Sequence, residues 1–198
     1  MYDAIVVAGG TARRLGGVDK PGLRIGGVAL LDRVVGAVAG ASRTVVVGPT
    51  RELARPVLWC REEPVGGGPV AAIGAALAQV KAPTVVVLAA DLPWVAPAVT
   101  VLLAALVDAP AAVLVSAGRP NYLCAAWRRS ALDAAVASIG PLAGAAVRQL
   151  FAGVATAPVI DDHGWGRDCD TWDDLAQARR EAADRPASAQ PRTDSSPA

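Results

Sequence analysis

Histidine is almost absent from this chain: His163 is the only one among 198 residues. Imidazole-based metal clusters and Ser-His-Asp triads therefore have almost nothing to be built from, and a surface loop is the expected place for His163. Cysteine is sparse as well. Cys60, Cys124 and Cys169 are odd in number, far apart and free of any C-x-x-C pair, which argues against a zinc site or a disulfide framework. Buried or incidental thiols in a reducing compartment are expected. An excess of charge of one sign is also lacking. Lys and Arg total 19 against 18 Asp and Glu, a net charge of +1, without the basic footprint of a nonspecific nucleic-acid binder. No uncharged apolar run reaches the length of a membrane span. Hydrophobic residues still make up 53% of the chain; alanine supplies much of that fraction, which implies tight packing. Met1-Tyr2-Asp3 leads directly into an apolar run, without a basic n-region or cleavage site. The expectation is a cytoplasmic, soluble protein, long enough for one domain with a sizeable core.

What is present is an alternation. Apolar, β-branched runs recur at Ala4–Ala8, Thr44–Val47, Val57–Cys60, Thr84–Ala89 and Ala112–Val115. Between several of them lie segments with helical spacing: Leu30–Val38, Val70–Val80 and Pro97–Val107. Strands alternating with helices predict an α/β fold, a Rossmann-like three-layer α/β/α sandwich around a mostly parallel sheet. From Asn121 the pattern changes. Tyr122–Trp127 predicts a strand that runs antiparallel, Ala131–Ser138 and Leu142–Phe151 predict helices broken at Gly140-Pro141, and Val154–Val159 predicts a last strand. Thr171 is a suitable N-cap, with Asp173 and Asp174 in the first turn, for a helix to about Ala183. The domain thus spans 1–183. Residues 184–198, rich in Pro, Ser and Ala without an apolar face, are expected to be a disordered tail.

Ligands of open α/β sheets bind at the carboxyl ends of the strands, so the loops after Ala8, Cys60 and Ala90 should be neighbours. The first is the most informative. The run V-A-G-G-T-A-R-R-L-G-G-V-D-K-P at 7–21 is a buried strand emptying into a glycine-rich loop with Arg13, Arg14 and Lys20. Glycines let main-chain N–H groups approach a ligand, and fixed cations beside them suit a polyphosphate. Neither the P-loop nor the G-x-G-x-x-G fingerprint is present; by composition alone, a glycine-rich surface turn remains the alternative. In A-A-D-L-P at 89–93, Asp91 follows an apolar strand directly. It suits Mg²⁺, which bridges carboxylates to substrate phosphates, and equally a helix N-cap before proline. In R-E-E-P-V-G-G-G-P-V-A-A-I at 61–73, three glycines precede a proline at a helix start. That arrangement brings backbone close to something flat or anionic, or simply makes a turn with solvated acids.

The order of residues in 7–21 closely resembles the signature L-A-G-G-x-x-x-R-[ML]-G-x-x-K of nucleotidyltransferases, in particular the molybdenum cofactor guanylyltransferase (MobA-like) family. The resemblance covers about residues 3–180. It implies GMP transfer from GTP to the phosphate of molybdenum cofactor (molybdopterin), with Mg²⁺, and a molybdoenzyme chaperone as a protein partner. Main chain at Ala8, Gly9 and Gly10 would then read the base and sugar, and Lys20, Arg13 and Arg14 would neutralise phosphate charge. Lys20, Arg14 and Asp91 are the residues this assigns to catalysis. In the family glycine at position 10 goes with guanine and alanine with cytosine, so Gly10 favours GTP. A-A-D-L-P resembles the C-D-x-P motif whose Asp holds the metal, which points to Asp91. The 61–73 segment resembles D-x-x-x-G-P-L-A-G-I, which helps hold the guanosine. Glu62 or Glu63 stands where the family has Asp; Glu63 and Gly68 are taken as nucleotide contacts. R-P-N-Y-L-C-A-A-W-R at 119–128 and P-L-A-G-A-A-V-R-Q-L at 141–150 resemble acceptor-side segments, and imply Asn121 and Arg148. D-C-D-T-W-D-D-L at 168–175 resembles the closing N-x-N-T-P-E-D-L, but Asp replaces Asn twice and Trp172 replaces Pro. That form is nearer the cytidylyltransferase branch and makes Asp168 a second candidate metal ligand. The other readings are a nucleotidyltransferase using CTP or a sugar or alcohol phosphate, a nicotinamide dehydrogenase, disfavoured by the missing fingerprint, and a non-catalytic nucleotide-binding regulatory domain.

Overall fold

The computed structural model of the protein describes residues 1–10 and 15–184. In chain order the elements are β1 (Asp3–Val7), the hairpin strands β2 (Arg24–Ile25) and β3 (Val28–Ala29), α1 (Leu30–Ala37), β4 (Thr44–Val47), β5 (Leu58–Cys60), α2 (Pro69–Leu77), β6 (Thr84–Ala89), α3 (Ala96–Ala105), β7 (Ala111–Ser116), β8 (Arg119–Arg128), α4 (Arg129–Ser138), β9 (Thr156–Ile160) and α5 (Trp172–Asp184). Among the described residues, Lys20–Gly22 and Val147–Phe151 form 3₁₀ turns.

Seven strands form one sheet in the order β5-β4-β1-β6-β8-β7-β9. All neighbours run parallel except β8, which is antiparallel to both β6 and β7. The period-two alternation of a strand sorts the core. Ala4, Val6 and Ala8 join Leu31, Val34 and Val35 of α1 and Ala98, Val99 and Leu102 of α3 on one face. Ile5 and Val7 join Val70, Ile73 and Ala76 of α2 and Leu132 and Ala135 of α4 on the other. These are the three layers expected from the alternation of runs. No helix among the described residues is long and apolar enough to cross a membrane.

A third, smaller cluster lies outside these layers. Ile25 and Leu30, beside the β2–β3 hairpin, pack with Trp94, Cys169 and the α5 residues Leu175, Ala178 and Ala182. The hairpin is not among the elements expected from the apolar runs, because its strands are two residues each. Its signal is Gly26-Gly27, with φ of +54° and +80°, the turn that joins two strands by two residues.

One expected element is corrected. Leu142–Phe151 is not a helix; only Val147–Phe151 forms a 3₁₀ turn. Gly144 has φ +79°, and its N–H donates to the Gly67 carbonyl at 2.8 Å, so tertiary bonding has overridden local helical pattern. The last helix ends one residue beyond the expected boundary, at Asp184. The remainder of the expected tail lies outside the described residues.

Candidate active site

The strand order reverses between β1 and β6: from β1 the chain first builds outward through β4 and β5, then returns to place β6 on the other side. Such a switch point opens a crevice at the carboxyl ends of the strands. The main chain there is tied one residue past each strand. Ala8 N donates to Val47 O at 2.8 Å, Ala90 N to Val7 O at 3.0 Å, and Gly48 N to Cys60 O at 3.0 Å. A Cβ on Gly48 would stand 2.9 Å from the Ala8 carbonyl oxygen, so only glycine permits this approach. The loops after Ala8, Cys60 and Ala90 are neighbours, as their positions in the sequence imply.

Into this crevice Lys20 extends from the 3₁₀ turn. Its Nζ donates to Asp91 Oδ2 and, at 2.5 Å, to Asp170 Oδ1. Burial pulls the ammonium pKa down, but the charges of Asp91 and Asp170 and their hydrogen bonds outweigh it and hold the pKa above the ordinary lysine value. The other oxygen of Asp91, Oδ1, is buried and has no hydrogen-bond partner. Asp168 stands at the exposed rim. Desolvation, then the charges of Asp170 and Asp91, lift its carboxyl pKa above the ordinary aspartate value, partly offset by Lys20. Asp91, Asp168, Asp170 and Lys20 thus form one electrostatic group. Asp170, not singled out beside Asp168 in the sequence, is the one in contact with the ammonium.

The third apolar cluster explains how two distant segments meet. Trp94 follows Asp91 by three residues, and Cys169 lies between Asp168 and Asp170; both are buried in that cluster. Leu92 and Val95 enter the α1–α3 core, and the Arg33 guanidinium lies over the Trp94 ring at 5.4 Å. Cys169 is therefore an anchor. Burial first, then the charge of Asp91, pushes its thiol up to about 11, with Lys20 acting in the opposite direction. Cys124 is likewise pushed up to about 12, by burial first and then by the charge of Asp161. These two thiols are the inert buried kind.

On the other side of β1, the glutamates separate. Glu63 is exposed, whereas Glu62 is 8% exposed. Glu62 Oε1 accepts from Gly66 N at 3.0 Å and would lie 3.7 Å from a Cβ on Gly9. Its Oε2 is buried without a partner. Of the two glutamates, the one that faces Gly9 is thus Glu62, one residue before the expected contact Glu63. Gly68 has φ +90° and precedes Pro69 at the start of α2. A Cβ on Gly10 would meet open space. Arg13 and Arg14 lie outside the described residues.

The segments expected at the acceptor are built differently. Asn121 is engaged at both ends of its amide: Nδ2 donates to Gly166 O at 3.0 Å, and Oδ1 accepts from Leu123 N at 3.2 Å. It fixes the loop after β9 to β8. That loop is organised by Asp161, which accepts hydrogen bonds from Ser116 Oγ, His163 N, Trp165 N and Gly166 N at 2.9–3.1 Å. Burial opposes the Asp161 charge, but these hydrogen bonds prevail and hold its pKa below the ordinary aspartate value. His163, exposed as expected, stacks on Trp165 with ring centroids 4.7 Å apart. Asp161 carries no motif signal; the closest hint is a D-x-x-x-x-G spacing to Gly166. Arg148 is exposed in the 3₁₀ turn, and nothing among the described residues ties it to Lys20 or Asp91. Thr171 caps α5 as expected: its Oγ1 accepts from Asp174 N at 3.1 Å, and Asp174 Oδ2 accepts from Thr171 N at 2.8 Å.

With this geometry in view, the comparisons with known proteins are specific. A family model described as MobA-like NTP transferase domain matches residues 4–158. The molybdenum cofactor guanylyltransferase of Acidiphilium cryptum is 36% identical over 140 residues, which are 66% of this chain and 69% of that protein. Among solved structures, molybdopterin-guanine dinucleotide biosynthesis protein A from Archaeoglobus fulgidus superposes with a TM-score of 0.71 at 23% identity, over 91% of this chain and 98% of that one. The 2-C-methyl-D-erythritol 4-phosphate cytidylyltransferase of Thermus thermophilus gives 0.68 at 19% identity, over 92% of this chain and 100% of that one. At such identities the two structures establish a shared fold.

Proposed function

This chain belongs to the MobA-like NTP transferase family, and from that premise we propose that it transfers GMP from GTP to the phosphate of molybdenum cofactor. An oxygen of the cofactor phosphate attacks the α-phosphorus, the bond to the β-phosphate oxygen breaks, and pyrophosphate leaves. The observation that carries the reading is the Lys20 ammonium held between Asp91 and Asp170 at the β1–β6 crevice.

No protein nucleophile is needed, because the acceptor phosphate is already an anion. The work left to the protein is alignment and charge compensation. Lys20 would exchange its carboxylate partners for the donor's phosphates. Gly9 lies beside Glu62, whose Oε1 would stand 3.7 Å from a Cβ there, and main chain at Ala8, Gly9 and Gly10 would read the base and sugar. Guanine presents adjacent N1–H and N2–H donors, which suit the partnerless Oε2 of Glu62; cytosine offers one amino donor beside an acceptor. A site that satisfies a buried acceptor only with the right base can discriminate strongly. The fold is common to guanylyl- and cytidylyltransferases, so donor choice rests on such contacts.

A divalent cation fits the donor set. Asp91 keeps a buried oxygen without a partner, and Asp170 faces it across Lys20. Among the described residues no three acidic, cysteine or histidine side chains cage an ion; Mg²⁺ needs only one or two carboxylates, because it completes its shell with substrate phosphates and water. Asp91, with Asp170 or Asp168, would hold it, and it would supply neutralisation of the α-phosphate.

The test is to incubate the protein with molybdenum cofactor, Mg²⁺ and each of the four NTPs, and to measure pyrophosphate. Release with GTP above the other three supports the reading. Release with CTP alone moves the chain to the cytidylyl branch, and binding without release makes it a regulatory domain.

A further inference from the structure

Lys20 reaches its carboxylates from a stretch anchored at its two ends, by buried Leu15 and by Leu23 against the third cluster, with two unpacked glycines between them. Gly16 and Gly17 have φ of +76° and +78°, and a Cβ on either would meet nothing within 4 Å. Two adjacent glycines without packing leave a segment with large conformational entropy to lose. The side chain that ties it down is the neighbour of Lys20. Asp19 accepts from Arg51 on both oxygens, Nε to Oδ2 at 3.1 Å and Nη2 to Oδ1.

Arg51 is itself prepared for that contact. It belongs to the loop after β4, whose Ala54 N donates to Asp32 Oδ1 on α1 at 3.1 Å. Its remaining Nη1 donates to Pro49 O at 2.9 Å. The side chain is only 19% exposed. All three guanidinium nitrogens thus donate to protein acceptors, in a planar fork that a lysine cannot reproduce.

We propose that Arg51 is a positioning residue: through Asp19 it holds the glycine-rich stretch in the place from which Lys20 meets the donor's phosphates. The proposal rests on the nucleotidyl-transfer reading for its consequence, though not for the latch itself. An ion pair whose carboxylate is more than half exposed adds little global stability. Its loss should therefore appear locally, in the 15–23 segment, with the melting temperature nearly unchanged.

The experiment compares Arg51→Ala, Asp19→Ala and the exchanged pair Asp19→Arg/Arg51→Asp with the wild type. Hydrogen exchange of the 15–23 segment is measured without nucleotide, and GTP steady-state kinetics with the cofactor. Each single variant should exchange faster there and raise the KM for GTP about tenfold, the scale of a misplaced binding group. The exchanged pair should restore both towards wild type. Single variants that exchange at the wild-type rate overturn the latch. An exchanged pair with a KM above both single variants also overturns it, and assigns Arg51 to the triphosphate directly. If the wild type releases no pyrophosphate, the functional reading fails, while the exchange of 15–23 still decides the latch.

Discussion

Glu62 and Asp161 are both buried carboxylates near the carboxyl ends of strands, 8% and 7% exposed, and they are treated in opposite ways. Asp161 accepts four hydrogen bonds and is spent on structure, since its loop closes around it. Glu62 accepts one on Oε1, and its Oε2 has no partner. Asp91 belongs with Glu62, with one oxygen on Lys20 and the other unsatisfied. Leaving a buried acceptor unpaired costs about 1–3 kcal/mol, so a chain that does so twice in one crevice keeps those oxygens for something the protein itself does not supply. Burial alone does not separate a scaffold acid from a ligand acid, and neither does a free oxygen alone. Asp3, buried at the start of β1, accepts from Lys81 N and Ala82 N on Oδ2 and leaves Oδ1 without a partner. What sets Glu62 and Asp91 apart is a free oxygen at the carboxyl ends of the strands.

The largest effect is expected where the carboxylate is satisfied. Asp161→Ala strands the Ser116 hydroxyl and the N–H groups of His163, Trp165 and Gly166. The loss should be about 3 kcal/mol, or about 6–12 °C in melting temperature for a chain of this size. A drop under about 2 °C would show that the loop holds without its acid. The same residue sets an acid limb. A carboxyl whose folded pKa is depressed contributes its stability in full above the unfolded value near 4 and loses it as pH falls through the lower folded value. Stability of the wild type should therefore fall below about pH 4 more steeply than that of Asp161→Ala, while Asp174, also depressed through its bonds to Thr171, keeps part of the limb in both. Equilibrium unfolding between about pH 2 and 6 reads the difference.

Asp91→Asn tests the opposite member. Turnover should fall at least about tenfold, some 1.4 kcal/mol of barrier, with the fold retained. Near-normal turnover at limiting Mg²⁺ would remove Asp91 from the chemistry.

These two residues also mark what was legible in the sequence. Asp91 follows an apolar run directly and Lys20 closes a glycine-rich stretch, but it was the resemblance to a family motif that singled out both, and the structure brings them into contact. The three layers followed from the alternation of β-branched runs with 3.6-period segments, because each strand and helix carries its own pattern. Asp161 carried no such mark: its partners come from β7 and from its own irregular loop, and hydrogen bonds to backbone have no residue signature. Asn121 stood out only through the resemblance, as an expected acceptor contact, and its clamp on Gly166 had no residue signature. The choice between Glu62 and Glu63 was a question of one residue in a loop, where no periodicity fixes the register. The failure of the 142–151 helix came from Gly144, whose N–H is drawn to Gly67 across the fold. The cluster that brings Trp94 to Cys169 was hidden because it joins residues far apart in sequence.

A smaller effect, confined to donor choice, is expected from Glu62→Gln. The melting temperature should stay the same or rise by up to about 2 °C, as when a strained functional group is relieved. The preference for GTP over CTP should fall about tenfold, read by competition at equal concentrations. This variant is a cleaner probe than Gly10→Ala. Gly10 has φ +136°, so any side chain there strains the backbone, even though its Cβ would meet open space. An unchanged preference in Glu62→Gln would place the unsatisfied oxygen outside the base site and weaken the contrast with Asp161.

The smallest effect is expected at the end of the chain. Leu175, Ala178 and Ala182 of α5 pack on Trp94 and Cys169, the residues that set the positions of Asp91 and Asp170. Beyond Asp184 the sequence offers Pro, Ser and Ala without an apolar face to bury. A chain ending at Asp184 should keep its turnover and hold its melting temperature within about 1 °C, the span of a surface change. A chain ending at Gln177 should behave otherwise. It discards Ala178 and Ala182, loosens the cluster and should lose turnover out of proportion to melting temperature, because Asp91 and Asp170 are carried by segments held in that packing. Equal behaviour of the two truncations would break the link between α5 and the site. A marked loss in the longer one would mean that the last fourteen residues dock on the domain.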